Sequence, residues 1–238
     1  MDRLAGAAEL LDGPLDDARA LAGNLRDLRR ANRWLGGTAL TAKALDALAG
    51  AAADAGSAIS LLDVGTGAAD IPLGLIERWR GRRRRLDVTA IDERSEVIEA
   101  ARRSDPRIDA TPRLALAVAD GRSLPYPDAA FDVAHASLVL HHLEPVDAVA
   151  LLGEMSRVSR RGIVVNDLAR NQLTLVGAWL LSHVATVNRY SRHDAPLSVR
   201  RAYTRAEAHA LIATAGLRSA VEFVAPFGHR WAIAAQRP

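Results

Sequence analysis

The stretch "LLDVGTGAADIPLGL", Leu61–Leu75, decides how the rest of the chain is read. An apolar run closes on Asp63 and Val64. Gly65 and Gly67 then flank Thr66, and apolar residues return at helical spacing from Ile71. Strand, glycine turn and helix in that order form the opening unit of a parallel sheet, with a ligand place at the turn. Glycine there lets the backbone approach a ligand that a side chain would hold off. A dinucleotide fingerprint needs a third glycine where Asp70 stands. Asp70 stands where a diphosphate would lie against the helix N-terminus, and its own negative charge repels one. No Gly-Lys-Ser/Thr follows, so a P-loop is excluded.

The texture repeats downstream. "ISLLDV", "LDVTAID", "LALAVAD", "FDVAHAS" and "GIVVND" are short apolar runs, each followed by helical or loop segments. That alternation predicts a mostly parallel sheet with helices on both faces. Three runs lead to acids, Asp63, Asp92 and Asp120. In open α/β sheets the carboxyl ends of the strands face one crevice, so three acids there predict one site.

The ligand that suits this crevice lacks phosphate and carries a cationic centre and an amino-acid tail. S-adenosylmethionine fits that description. Asp63 is expected near the methionyl ammonium. Asp92 is placed to take both ribose hydroxyls, and Asp120 to accept from the adenine amino group, with Gly121 clearing the base.

These residues resemble class I S-adenosylmethionine-dependent methyltransferases over about residues 58–238. "LLDVGTGAAD" is similar to the family's first motif. "AIDERSEVIEAAR" resembles the segment with the ribose acid, and "VADGRSLPYPDAAFDVAHASLVLHHL" the stretch from the adenine acid through the fourth strand. "SAVEFVAP" and "FGHRWAIAAQ" resemble the terminal hairpin. The resemblance implies a Rossmann-like seven-stranded sheet, mostly parallel with the last strand antiparallel. It implies S-adenosyl-L-methionine as cofactor, held by Asp63, Gly65, Thr66, Gly67, Asp70, Asp92, Glu93, Asp120, Gly121 and Ser137. Among relatives, the chain resembles quinone-biosynthesis and polyketide-associated methyltransferases, enzymes of secondary metabolism.

Two segments lie outside that frame. Residues 1–57 read as an N-terminal helical extension, since Leu21, Leu25 and Leu28 recur at helical spacing and a second helix runs from Leu40 toward Gly56. Residues 58–238 form the cofactor-binding domain. A helical lid insertion is expected over about 170–200, after strand five. "LTLVGAWLLSHVATV", Leu173–Val187, is apolar but shorter than the about 20 residues of a membrane span. It reads as a buried or interfacial helix, with no stable membrane insertion.

Methyl transfer to a phenol is helped by a base. His141 and His142 follow the fourth strand; Asn166 and Asp167 end the fifth. His142 is the favoured base, with His141 as its alternative and Asp167 as the orienting carboxylate. Trp34, Arg33, Asn166, His183, Arg192 and His193 are the expected acceptor contacts. His135, His209 and His229 read as structural or surface residues. No His/Asp/Glu spacing suggests a metal.

Composition sets the outer bounds. The chain has 238 residues, 49% hydrophobic and 25% charged, and no cysteine. Disulfides, thiolate metal sites and cysteine nucleophiles are excluded, which fits a reducing cytoplasm. The formal net charge is only +3, too small for a strong nucleic-acid footprint. "GRRRRLD", Gly81–Asp87, is the one basic block and reads as a helix end entering a strand. The reading is O-methylation of a small aromatic, phenolic or polyketide-like acceptor by a monomer or homodimer. A C-methyltransferase on a quinone-like ring is the alternative. A nucleic-acid methyltransferase, an NAD-dependent oxidoreductase and a non-catalytic cofactor-binding protein stand further off.

Overall fold

The computed structural model describes residues 1–54 and 58–238. The expected boundary at 57/58 and the expected end of the second helix fall at residues 55–57, outside the described residues.

Seven strands form one sheet in the order β3-β2-β1-β4-β5-β7-β6. They are β1 (Ala58–Val64), β2 (Arg85–Asp92), β3 (Leu114–Val118), β4 (Phe131–Ser137), β5 (Ser159–Leu168), β6 (Arg218–Val224) and β7 (Arg230–Gln236). The first five pair in parallel, and β7 enters antiparallel between β5 and β6. Only β7 runs against the rest, as the terminal hairpin implies. Because β1 lies between β2 and β4, the chain reverses its winding there. The crevice opens at that switch point, beside the glycine turn.

The central strands are buried on both faces, and side chains alternate between two cores. On one face Leu62, Val64, Ala134, Ala136, Ile163, Val165 and Trp231 pack with α6 (Pro145–Val158) and α9 (Arg205–Thr214). On the other, Leu61, Val88, Ala90, Val133, Val164 and Ala234 pack with α2 (Gly37–Asp54) and α3 (Asp70–Gly81). Helix α2 therefore shares a core with the sheet. The expected capping box at the start of α9 is present, with Thr204 accepting from the Glu207 amide and Glu207 accepting from the Thr204 amide.

A cap lies over the strand ends. It consists of a 3-10 turn at Leu10–Asp12, α1 (Ala18–Trp34) and α8 (Arg189–Arg201). Leu21 and Leu25 of α1 bury against Ala68 of the glycine turn and Tyr190 of α8. The "SRHDAP" segment, with its polar density, belongs to helix α8. Buried Asp194 explains it: its two oxygens accept the amides of Leu10 and Leu11 at 2.8 and 3.2 Å, tying α8 to the N-terminal turn.

Of the two expectations for helix α7 (Gln172–Val184), buried or interfacial, the structure excludes the first. Its small polar residues Thr174 and Ser182 face inward, while Val176, Trp179, Leu180 and Val184 are exposed. Among the described residues, no helix is long and apolar enough to cross a membrane. The basic block behaves as read: α3 ends at Gly81, Arg82 pairs with Asp46 at 2.7 Å, and Arg85 begins β2.

Candidate active site

A cavity of about 230 Å³ opens at the switch point. All ten residues expected to hold the cofactor line it: Asp63, Gly65, Thr66, Gly67, Asp70, Asp92, Glu93, Asp120, Gly121 and Ser137. Gly65 has φ +68°, and a Cβ there would collide with the adjoining Val139 side chain. The turn must therefore be glycine, both for its backbone and for the space. Gly121 is required for a different reason than base clearance. A Cβ on it would meet Leu151 at 2.8 Å and also Val64, so it allows close packing of the loop on α6 and β1.

Each acid has a distinct setting. Asp92 ends β2, and its two oxygens accept the amides of Gly67 and Arg94 at 3.0 and 3.2 Å. Burial raises its carboxyl above the usual range, against the pull of those two donors. Each oxygen keeps a lone pair for a ligand hydroxyl. Asp70, at the start of α3, is likewise raised by burial, opposed by the Asn32 amide 3.4 Å away. Asp63 precedes the last residue of β1, and its carboxylate is bonded to the buried His135 ring. Asp63 thus lines the cavity while one of its oxygens is bonded to His135. Asp120 lies two residues past β3, where Arg122 grips it through two hydrogen bonds of 3.1 and 3.0 Å. That bonding holds its carboxyl below the usual range and leaves it less available to an adenine than expected.

Beneath these acids runs a buried polar chain that local motifs do not reveal. Arg230, at the start of β7, donates to Asn166 at 2.6 Å, Asn32 at 2.9 Å and Ser137 at 2.7 Å. Its acceptors are all neutral, and among the described residues it forms no ion pair. Burial pushes its guanidinium down to about 10. Asn166 also donates to Gly37 O and Thr41 Oγ1, at 2.9 and 2.8 Å. Asn166 therefore braces α2 against β5 and does not line the cavity, contrary to the acceptor role expected of it. His135, bonded to Thr41 and Asp63, completes the network and is structural as read.

The two histidines separate. His142 lines the cavity; His141 does not. Asp167 orients His141, not His142: it takes the ring Nδ1 at 2.7 Å and the His141 amide at 3.1 Å. Burial alone would raise the Asp167 carboxyl, but the His141 ring holds it below the usual range. His142 instead pairs with Asp12 at 2.8 Å. Burial would lower its pKa, yet the Asp12 hydrogen bond and the Glu9 charge lift it to about 8. Arg201 fixes this corner, donating to Asp12 at 2.6 Å and to the His142 carbonyl at 2.7 Å.

The remaining acceptor candidates lie elsewhere. Trp34 is 76% exposed at the end of α1, with Arg33 over its ring. His183 stacks on Trp179, Arg192 caps the α7–α8 turn through Thr186 O and His183 O, and His193 bonds Asp194. None of them lines the cavity. The side of the cavity away from the strand ends is walled instead by Leu11, Asp12, Leu21, Leu25, Leu28 and Asn32. The leucine spacing of α1 was legible; nothing local in the sequence marks Leu11 or Asp12.

The donor set fits S-adenosylmethionine. Gly65 has no room for a Cβ; Asp63, Asp70 and Asp92 face the cavity, and Thr66 Oγ1 is buried with no partner among the described residues. Residues 61–162 match the family described as a methyltransferase domain. Among solved structures, a SAM-dependent methyltransferase from Aquifex aeolicus is 18% identical, with 90% of this chain and 97% of that one covered and a TM-score of 0.61. An O-methyltransferase family 2 protein from Planctomyces limnophilus, in complex with apigenin, is 18% identical with a TM-score of 0.67. That match covers 94% of this chain but 62% of the other, so the chain spans about three fifths of its length. The [4+2]-cyclase SpnF is 16% identical, with 83% and 80% covered and a TM-score of 0.57. These likenesses establish the fold. No curated protein matches the chain in sequence.

Proposed function

We propose that the chain methylates a hydroxyl oxygen of a small aromatic, phenolic or polyketide-like acceptor, with His142 assisting loss of the acceptor's proton. One observation supports this above the others: a single cavity joins the strand-end acids to His142. A methyltransferase-like fold alone would not suffice, since a structure described as a cyclase shares it.

When bound, S-adenosylmethionine supplies an electrophilic methyl on a sulfonium. His142 would take the hydroxyl proton of an acceptor seated beside it. The protein's share is orientation and exclusion of water. Gly65 and Gly67 admit the methionyl portion, and Asp92 takes the ribose hydroxyls. Leu11, Leu21, Leu25 and Leu28 enclose an apolar acceptor. The Planctomyces limnophilus protein, solved in complex with apigenin, is consistent with such a pocket. We place the enzyme in the cytoplasm as a monomer or homodimer, with an N-terminal extension up to residue 57 and a cofactor-binding unit over 58–238.

The test is turnover with S-adenosylmethionine and a panel of hydroxylated aromatics, with the product solved by NMR. A methyl on oxygen is expected. A methyl on ring carbon overturns the oxygen assignment. Calorimetric binding of NAD with no heat from S-adenosylhomocysteine overturns methyl transfer itself.

A further inference from the structure

His141 and His142 stand side by side on a 3-10 turn, with ring centroids 4.3 Å apart. Each gives its Nδ1 to a different carboxylate, Asp167 and Asp12. A carboxylate at Nδ1 fixes the proton there, so a neutral ring presents Nε2 as a lone pair. Both Nε2 atoms face Glu9. His141 Nε2 lies 3.7 Å from Glu9 Oε1, and His142 Nε2 lies 3.9 Å from Glu9 Oε2.

Glu9 is 4% exposed, and its Oε1 is buried with no hydrogen-bond partner among the described residues. Ser198 donates to the other oxygen at 2.9 Å. Arg201 stands 3.7 Å from Glu9 Oε1, too far to donate, and its short bond goes to Asp12. Two ring Nε2 atoms and an orphaned carboxylate oxygen thus converge. A buried carboxylate oxygen without a donor is costly, and a cation bound there would satisfy it.

We propose that Glu9, His141 and His142 form a binding site for one first-row divalent cation, best matched by zinc. The three candidate ligand atoms lie within 4.8 Å of one another. Bonds of about 2.1 Å in a tetrahedral site put ligand atoms roughly 3.4 Å apart, so small side-chain rotations close the set. Two imidazoles and a carboxylate suit zinc, and Asp167 and Asp12 are the outer-shell carboxylates such histidines need. Three protein ligands leave the fourth position to a water or other small ligand. An ion on Nε2 of His142 would occupy the lone pair that the proposed methyl transfer needs, so zinc would inhibit that reaction. That inhibition rests on the methyl-transfer reading; the binding of the ion does not. The ligands are positions 9, 141 and 142, a separation that no spacing motif can show.

The test uses the full chain stripped with a chelator, with zinc chloride titrated calorimetrically and cobalt(II) followed by its visible absorption. One ion per chain is expected, with a tetrahedral cobalt spectrum. Glu9→Gln and His141→Gln are expected to weaken binding at least 100-fold while S-adenosylhomocysteine still binds, which shows that the variants are folded. No saturable binding, or binding unchanged in both variants, overturns the site. S-adenosylhomocysteine binding without zinc sinks the metal proposal alone; zinc binding without S-adenosylhomocysteine sinks methyl transfer and spares the metal site.

Discussion

The two walls of the cavity are built in different ways. The donor wall comes from consecutive strand–turn units: Asp63 to Asp70 after β1, Asp92 and Glu93 after β2, Asp120 to Arg122 after β3. Each unit carries its ligand residues within a few positions of its strand end, so the sheet delivers them together. The acceptor wall is assembled from afar. Asp12 reaches His142 and Arg201, Glu9 reaches Ser198, and Asp194 holds the amides of Leu10 and Leu11. The donor wall is a property of the fold. The acceptor wall is a property of one tertiary packing, so it is where relatives of one fold can diverge.

The largest expected effect lies on the donor wall. Gly65→Val adds a side chain where φ is +68° and Val139 already fills the space. Affinity for S-adenosylhomocysteine should fall at least 100-fold, about 3 kcal/mol, with the circular dichroism spectrum unchanged. Retained affinity would show that the turn is not part of the cofactor site.

On the acceptor wall the matching change is Leu25→Ala. Leu25 is buried between α1 and its neighbours. Losing it should cost about 2–5 kcal/mol of stability, read as a lower thermal midpoint. S-adenosylhomocysteine affinity should move far less. An equal loss of both would mean that the walls do not act separately.

Arg230 belongs to neither wall and ties them together. Its buried guanidinium meets only neutral acceptors, two of which, Asn32 and Ser137, line the cavity. An anionic ligand group beside them would supply the missing charge. Arg230→Met should weaken S-adenosylhomocysteine by about ten- to thirtyfold, on the order of 2 kcal/mol. It should spare 5′-methylthioadenosine, which lacks the amino-acid tail. Equal weakening of both would leave Arg230 a structural residue.

The same contrast explains what the sequence could show. The glycine turn, the strand-end acids and the terminal hairpin are local patterns, so the mostly parallel sheet with its antiparallel last strand and the ten cavity-lining residues were legible. Helix spacing also revealed Leu21, Leu25 and Leu28. Glu9, Asp12 and Arg230 were not legible, because their partners lie more than 60 positions away. Asn166, His183, Arg192 and His193 have the chemistry of ligand contacts, but packing turns each toward the protein itself. Asp167 was read as an orienting carboxylate and is one, for the neighbouring histidine.

Acidification should act on the donor wall first. Burial raises the carboxyls of Asp92 and Asp70 above the ordinary 3.8. Their folded forms take up a proton at a higher pH than an exposed aspartate does. The charged Asp92 is the form that accepts ribose hydroxyls. Cofactor affinity should therefore decline as pH falls toward those raised values, and recover above them. Calorimetry with S-adenosylhomocysteine across the mildly acidic range reads this as a several-fold change. Asp92→Asn should bind more weakly at neutral pH and lose most of the slope. A slope that survives the substitution would shift the effect to Asp70 or the cap.

The smallest effects are expected where chemistry-bearing residues sit away from both walls. Trp34, His183 and His193 are exposed, and Arg192 closes the α7–α8 turn. Alanine at each should change stability by roughly 0.5 kcal/mol or less and turnover by less than twofold. A tenfold loss of turnover in any one, with S-adenosylhomocysteine affinity intact, would break the division. It would mean that α7 and α8 fold inward when the acceptor binds, and that the exposed apolar side of α7, with Val176, Trp179 and Val184, is a face the acceptor recruits.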